Sequence, residues 1–203
     1  MSADAYLRET EPAVKGLLAL LAYYDHLTPP PSLAPFVDEQ GVVKLNRAEA
    51  KGYMHALDDS LALDTAKAVL AGSMLQIANK ALQEHSANAV ASAAARALGV
   101  SAGDACSRFA VGREIHGIPA GLLIYAGRVQ YNHYEEGRPK HHVARAVFDA
   151  LLKHYSEDLS FDMAYELEWP APRPVAYYIV RHELRWLAYG GYETDMRSML
   201  AVP

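Results

Sequence analysis

Apolar residues recur at helical spacing near the start of this chain. The pattern i, i+3, i+4, i+7 predicts a helix over residues 11–27. It is carried by Leu17, Leu20, Leu21 and Tyr24. The prolines at 29–31 cannot continue a helix, so the predicted helix ends before them. The short segment Phe36–Leu45 fits either an irregular loop, which we favour, or a small hairpin.

A second helical region begins at Asn46. Asn46 is a good N-cap, and Glu49 stands three residues later, as in a capping box. A further start lies near Asp58–Ser60, and the proline-free apolar pattern beyond it predicts one long helix over roughly residues 60–86.

Glycine and proline divide the rest of the chain into shorter helices. Residues 101–118 are predicted as a loop with a short helical piece, Trp169–Pro174 as a linker, and Gly190-Gly191 as a break. The helices are predicted over residues 88–98, 119–134, 140–155, 175–189 and 192–201. The chain is therefore expected to be an all-α single domain over 1–203, with an N-terminal arm over 1–45 and a helical bundle over 46–203.

Composition narrows the functional classes. The chain has 203 residues, of which 51% are hydrophobic and 21% charged, so it can bury a core. Its net charge of −5 excludes a protein that coats nucleic acid through bulk charge but allows a local basic site. The single cysteine, Cys106, excludes an internal disulfide and is expected to be buried. The apolar run Leu17–Ala22 is too short to span a membrane, so we expect no membrane and a cytoplasmic location.

Common catalytic and cofactor motifs are absent from the sequence. It contains no HExxH, no GxxxxGK[ST] and no GxGxxG. The adjacent His141 and His142 would point about 100° apart on a helix, so they do not converge on one metal ion. We therefore predict no metal and no cofactor, and a metal-dependent helical hydrolase fails for want of clustered ligands.

The stretch Gly127–Tyr134 concentrates polar side chains directly after an apolar run. Arg128 offers a fixed cation that suits phosphate, and His133 supplies an imidazole, the type of side chain that most often carries protons in catalysis. A proton carrier and a charge stabiliser are the minimum set for cleaving a phosphodiester without metal.

The spacing of these residues leaves another interpretation open. Arg128 and His133 are five positions apart, which places them about 140° apart on a straight helix, while Asn132 shares the face of Arg128. His133 continues an apolar stripe and fits a packed interface histidine, and Arg128 fits a surface ion pair. That stripe is formed by Leu122, Ala126 and Val129.

An arginine followed by a histidine near the end of a late helix resembles the signature of the HEPN superfamily. The longer resemblance, to one branch of bacterial HEPN proteins, covers roughly residues 60–200. It is carried by Gly112–Glu114, Gly117–Arg128, Gln130–His133, Leu75–Ala78 and Ala176–Tyr178.

This resemblance implies a HEPN-like helical bundle that dimerises with its Arg–His helices facing each other. Many members of the superfamily are metal-independent endoribonucleases, often toxins or defence effectors. The catalytic residues would be Arg128 and His133. The family often has Asn directly after the arginine, whereas this chain has Val129, and Asn132 is the candidate to replace it.

Further residues around this helix are candidates for RNA binding. Arg113, Arg138 and Lys140 could contact phosphates, and Tyr131 and Tyr134 could stack on unpaired bases. Each also fits an ordinary role, as a solvated charge or as a core tyrosine.

Two functions from different classes follow. The first is an endoribonuclease that acts as a homodimer on RNA. The second is a non-catalytic HEPN-like module that binds a nucleotide or a partner protein, such as an antitoxin. The arrangement of Arg128 and His133, in a shared open cleft or in packed core, discriminates between them.

Overall fold

A computed structural model describes residues 1–27, 46–155, 165, 167 and 174–201, and within α2 it leaves the side chains of 54–60 undescribed. Helices dominate it, and the described strands form one two-stranded antiparallel hairpin, which confirms the all-α class. The helices are α1 Ala3–Asp25, α2 Arg47–His85, α3 Ala93–Ala97, α4 Ala120–His133, α5 His142–His154, α6 Ala176–Tyr178 and α7 Tyr189–Leu200. Shorter elements are 3₁₀ turns at Ala105–Phe109 and Tyr134–Glu136, a π-helical turn at Ile179–Glu183, and strands β1 Glu114–Ile115 and β2 Ile118–Pro119.

Helix α2 is the long axis of the bundle. It begins at the predicted N-cap: Asn46 accepts from the amides of Ala48 and Glu49, and the Glu49 side chain accepts from the Asn46 amide in a complete capping box. The predicted second start near residue 60 is not a break, because α2 is continuous from Arg47 to His85.

Helix α1 runs antiparallel to α2 and belongs to the same core. At one end the Tyr6 hydroxyl donates to the Ile77 carbonyl at 3.0 Å, and at the other Lys67 lies 3.7 Å from Asp25. The buried side of α1 joins the hydrophobic cluster of the bundle. That side consists of Tyr6, Leu7, Val14, Leu18 and Leu21.

The two ends of the chain are joined by ion pairs. Arg181 binds Asp25, whose carboxylate also accepts from the Tyr177 hydroxyl at 2.7 Å. Arg197 of α7 lies 3.2 Å from Asp4 at the start of α1. Residues more than 150 positions apart in sequence therefore hold α1 in place.

Helix α4 lies in the middle of the bundle, between α2, α5 and α6. Pro119 provides no side-chain cap, and the first free amides of α4, Ala120 and Gly121, donate instead to the carbonyls of Arg113 and Val111 at 2.9 and 3.0 Å. Further along, buried Gln130 accepts from the Val175 amide at 3.0 Å and so fixes the start of α6.

Several predicted boundaries were wrong for local reasons. Helix α1 starts at Ala3, capped by Ser2, and includes Pro12, which lies on its exposed side. The helix predicted over 88–98 is only Ala93–Ala97, which begins after the N-cap Ser92.

The predicted break at Gly190-Gly191 was also wrong. Both glycines lie in the first turn of α7, where amides lack helical partners in any case.

The helix predicted over 175–189 ends at the π-helical turn, and Arg185 follows with a φ of 54°. The predicted loop at Phe36–Leu45 and most of the linker at Trp169–Pro174 lie outside the described residues.

One helical segment of the described residues, Leu61–His85, is long and apolar enough to cross a membrane by length and composition. A third of its most apolar window is buried in this structure, where α2 packs against α1 and α4. Core helices of soluble proteins pass the same test, so the segment is weak evidence for a membrane span.

The close contact beneath α4 leads to a stability prediction. A Cβ atom on Gly121 would lie 2.4 Å from the Phe109 carbonyl oxygen, and this backbone atom cannot rotate away. We expect Gly121→Ala to lower the free energy of unfolding by about 1–3 kcal/mol. The measurement is equilibrium unfolding in denaturant.

The matched control is Gly16→Ala. Gly16 is an exposed position inside α1, and a Cβ atom there meets nothing within 4 Å. Alanine should therefore stabilise the protein by roughly 0.5–1 kcal/mol through helix propensity. Equal effects of the two substitutions would contradict the described packing of Gly121.

Candidate functional site

Helix α4 presents one open face to solvent. Five of its side chains on this side are exposed or half-buried, whereas most of the others are buried against α2, α5 and α6. At about 100° per residue they span an arc of roughly 140°, with Arg128 at one edge and His133 at the other. We call this surface the open face of α4. It consists of Tyr125, Arg128, Val129, Asn132 and His133.

Arg128 is held at its edge by a glutamine from α2. Arg128 Nε donates to Gln76 Oε1 at 3.1 Å, and the Gln76 amide contacts the Asn132 amide at 2.8 Å. With the Asn132 oxygen turned toward Arg128, that oxygen accepts from Arg128 Nε and Nη2 at 3.2 and 3.3 Å and from Gln76 Nε2 at 3.0 Å. Arg128 and Asn132 therefore share a face, as their spacing predicts, and Gln76 joins them.

Glycines position α2 close enough for this contact. A Cβ atom on Gly72 of α2 would lie 2.4 Å from the Tyr131 ring, and one on Gly127 of α4 would lie 2.9 Å from Leu75. The two helices can approach only because these positions lack side chains. Tyr131, predicted as a base-stacking residue, is half-buried against Gly72 and has a packing role in the single chain.

His133 occupies the opposite edge and pairs with an acid. Its Nδ1 lies 2.9 Å from Glu136 Oε1, and the His133 side chain is 56% exposed. No hydrogen bond to Nε2 is found within the part of the chain that the structure describes. A carboxylate at one ring nitrogen fixes the orientation of the imidazole and favours a proton on Nδ1, which leaves Nε2 as the base.

A surface cleft of about 280 Å³ opens beside His133. Lys140 and His141 contribute to its wall, so the cleft collects groups that bind anions. Its lining residues are Val129, His133, Glu136, Arg138, Pro139, Lys140 and His141.

The basic groups of this cleft are paired with carboxylates. Lys140 Nζ lies 2.6 Å from Glu136 Oε2, and Arg138 Nη2 lies 3.5 Å from Asp149. The Lys140 hydrogen bond, followed by that of His133, lowers the pKa of the Glu136 carboxyl below its ordinary value. Glu136 thus remains ionised and bridges His133 and Lys140.

The other residues that were predicted to bind RNA lie away from the centre of this cleft. Half-buried Tyr134 directs its hydroxyl to Glu135 at 3.4 Å. Arg113 lies before β1, where it binds Asp195 at 3.0 Å and the Leu184 carbonyl at 2.6 Å. Arg113 therefore anchors the hairpin to α7 and is not brought to His133.

Within one chain, Arg128 and His133 do not meet. Arg128 contacts α2, His133 contacts the turn after α4, and Val129 lies between them on the open face. Two partners that we did not predict as site residues, Gln76 and Glu136, hold them there. Glu136 could have been found from its i+3 spacing to His133, whereas the position of Gln76 depends on how α2 packs.

Among the described residues, no group of three or more His, Cys, Asp or Glu side chains could hold a metal ion. The chain matches no protein-family model, no curated protein and no solved structure. The resemblance to the HEPN superfamily accordingly stays a prediction.

The Glu136 bridge gives a prediction on pKa. We expect Lys140→Met to raise the pKa of Glu136 toward its ordinary value of 4.5, because the largest cause of its lowering is removed. The pKa should remain below that value, since His133 still contacts the carboxylate. Carboxyl titration by NMR measures both effects.

A matched pair on α2 provides the control. Lys80 and Glu84 have the opposite order at the same spacing, with a 2.6 Å contact that lowers the pKa of Glu84. Lys80→Met should raise the pKa of Glu84 and leave that of Glu136 unchanged. An unchanged Glu136 pKa in Lys140→Met would show that the Lys140 pair does not persist in solution.

Proposed function

We propose that this protein is a metal-independent endoribonuclease that acts as a homodimer, with Arg128 and His133 as its catalytic pair. The observation that carries the proposal is the open face of α4. It presents the arginine at one edge and the histidine at the other, each held by a dedicated neighbour, Gln76 or Glu136. A single chain supplies half of each active site.

A second copy of the chain completes the site. A two-fold axis parallel to α4 sets the Arg128 edge of one copy against the His133 edge of its partner, and a two-fold interface repeats this contact twice. Arg128 and His133 differ by about 7.5 Å along the helix axis. The long arginine side chain helps to bridge that offset. Val129 would then lie near the axis as an apolar contact.

The chemistry requires no metal because RNA carries its own nucleophile. His133 Nε2 takes the proton of the 2′-hydroxyl, or returns one to the leaving 5′ oxygen, while Glu136 holds Nδ1. The partner's Arg128 stabilises the charge that grows on the non-bridging oxygens, and Asn132 orients the phosphate. The expected product has a 2′,3′-cyclic phosphate end.

The cleft beside His133 supplies the binding surface for flanking phosphates. Arg138 and Lys140 are the basic groups there, and phosphates would displace their present partners Asp149 and Glu136. A local basic cleft suits a chain whose net charge is −5. We place the protein in the cytoplasm, where RNA and a partner protein such as an antitoxin would be available.

One observation favours a second candidate function. The contact of Arg128 Nε with Gln76 orients the guanidinium equally well for binding a phosphate that is not cleaved. A non-catalytic module that binds a nucleotide or a partner protein through the same face fits this arrangement. Binding of RNA without cleavage would support this alternative.

The proposal predicts cleavage of single-stranded RNA in the presence of EDTA. His133→Ala and Arg128→Ala should each reduce the cleavage rate by at least about 100-fold, the usual effect of removing a general base or a charge stabiliser. Arg8→Ala is the control, since Arg8 is exposed on α1 and pairs only with Asp4 among described residues. Equal activity in all variants would indicate a contaminating nuclease and contradict the proposal.

Mixing the two inactive variants tests the shared site directly. In a dimer of one His133→Ala chain and one Arg128→Ala chain, one of the two sites keeps both residues. Random mixing makes half of the dimers mixed, so about a quarter of wild-type activity should return. No recovery, with exchange of subunits confirmed, would place both residues of each site in one chain.

A further inference from the structure

The hairpin that leads into α4 contains an unusual residue at its turn. Strands β1 and β2 are joined by His116 and Gly117, with φ values of 53° and 76°. Two consecutive positive φ angles define the two-residue turn that favours Asn-Gly. A histidine at the first position is strained, and such strain persists only where surrounding contacts impose it.

Those contacts come from α5 and from the π-helical turn. His116 Nε2 lies 3.3 Å from Glu183 Oε2 and 3.1 Å from the Tyr155 hydroxyl. The His116 ring also stacks on the His154 ring, with 3.6 Å between the ring centres. One side chain thereby joins the hairpin to two other elements.

Glu183 is a buried carboxylate with incomplete hydrogen bonding. Its side chain is fully buried, Oε1 accepts from the Tyr165 hydroxyl at 2.5 Å, and Oε2 has no hydrogen-bond partner of good geometry in the described structure. Glu183 ends the π-helical turn, a rare element that is frequent at functional sites. A buried carboxylate that lacks hydrogen bonds lowers the stability of the fold. The contact between His116 and Glu183 is therefore important for the stability of this region.

Opposing influences act on the charge of His116. Burial lowers the pKa of His116 below its ordinary value of 6.5, nearby His154 and Arg185 lower it further, and Glu183 raises it. In the part of the chain that the structure describes, the hydroxyls of Tyr155 and Tyr165 also face this cluster. The lowering influences prevail, so His116 is neutral when the hairpin is closed at neutral pH.

We propose that His116 is an acid-sensitive latch: as a neutral imidazole it holds the β1–β2 hairpin against Glu183 and His154, and its protonation releases the hairpin. The latch lies at the N-terminal end of α4, whereas His133 lies at the C-terminal end, about 20 Å along the helix. The inference does not depend on RNA cleavage.

The direction of the pH effect follows from linkage. A released His116 is solvated and takes up a proton near its ordinary pKa, whereas the closed hairpin resists protonation. Closure is therefore fully favoured above about pH 6.5 and weakens as the pH falls below it. A proton on His116 would also place a charge against the stacked His154 ring, which lowers the pKa of His116.

The amides that cap α4 report on the latch. Ala120 and Gly121 donate to Arg113 and Val111 across the hairpin, so their hydrogen-exchange protection measures its closure. Between pH 7 and pH 5 their protection factors should fall by up to about 25-fold, the limit for a closed state that binds no proton. Amides in the middle of α2 should show no such fall.

His116→Asn is the decisive variant because asparagine suits the turn and does not titrate. It should abolish the pH dependence of Ala120 and Gly121 protection while the hairpin stays closed. His182, in the same π-helical turn, also has a pKa lowered chiefly by burial, but it is present in both proteins and cannot cause the difference. The same pH dependence in His116→Asn would overturn the proposal.

Two more variants test the sign of each influence. Glu183→Gln removes the raising influence on the pKa of His116 and should make protection fall more steeply with acid. His154→Asn removes an influence that lowers the pKa of His116, and the protection of Ala120 and Gly121 should then fall less steeply with acid. A merely structural role for these residues would change protection equally at both pH values, and that result would also contradict the latch.

Discussion

The close approach of α2 and α4 is the constraint on which the candidate site depends. Gly72 admits the Tyr131 ring and Gly127 admits Leu75, so the two backbones come nearer than side chains at those positions would permit. At that separation a side chain as short as Gln76 reaches Arg128 and Asn132. A larger residue at Gly72 or Gly127 would act on the site without touching it.

The sequence predicted the helical class and the position of α2's first turn because both depend on local chemistry. Asn46 and Glu49 cap the helix through contacts within three residues, and no distant part of the chain is needed. The break predicted at Gly190 and Gly191 was wrong for the opposite reason, because packing rather than local chemistry decides the structure there. Their cost to a helix is real but small, and packing of the following Tyr192 and Met196 in the core outweighs it.

The candidate site was predictable in part. The i+4 spacing placed Arg128 and Asn132 together, and the angle between Arg128 and His133 correctly indicated that one helix does not focus them. Gln76 could not be found in this way, because its role requires knowledge of the packing between helices 50 residues apart. The cluster around His116 was equally hidden, since its members come from a hairpin, a helix end and a π-helical turn.

The ion pairs between the chain ends have a consequence for synthesis on the ribosome. Helix α1 is made long before Arg181 and Arg197, which bind Asp25 and Asp4 from more than 150 positions further along the chain. Contacts of such long sequence separation form late and slow the folding of a domain. Helix α1 can pair with α2 early, but its other side stays uncovered until Arg181 and Arg197 have been made, and in that interval the surface is available to chaperones.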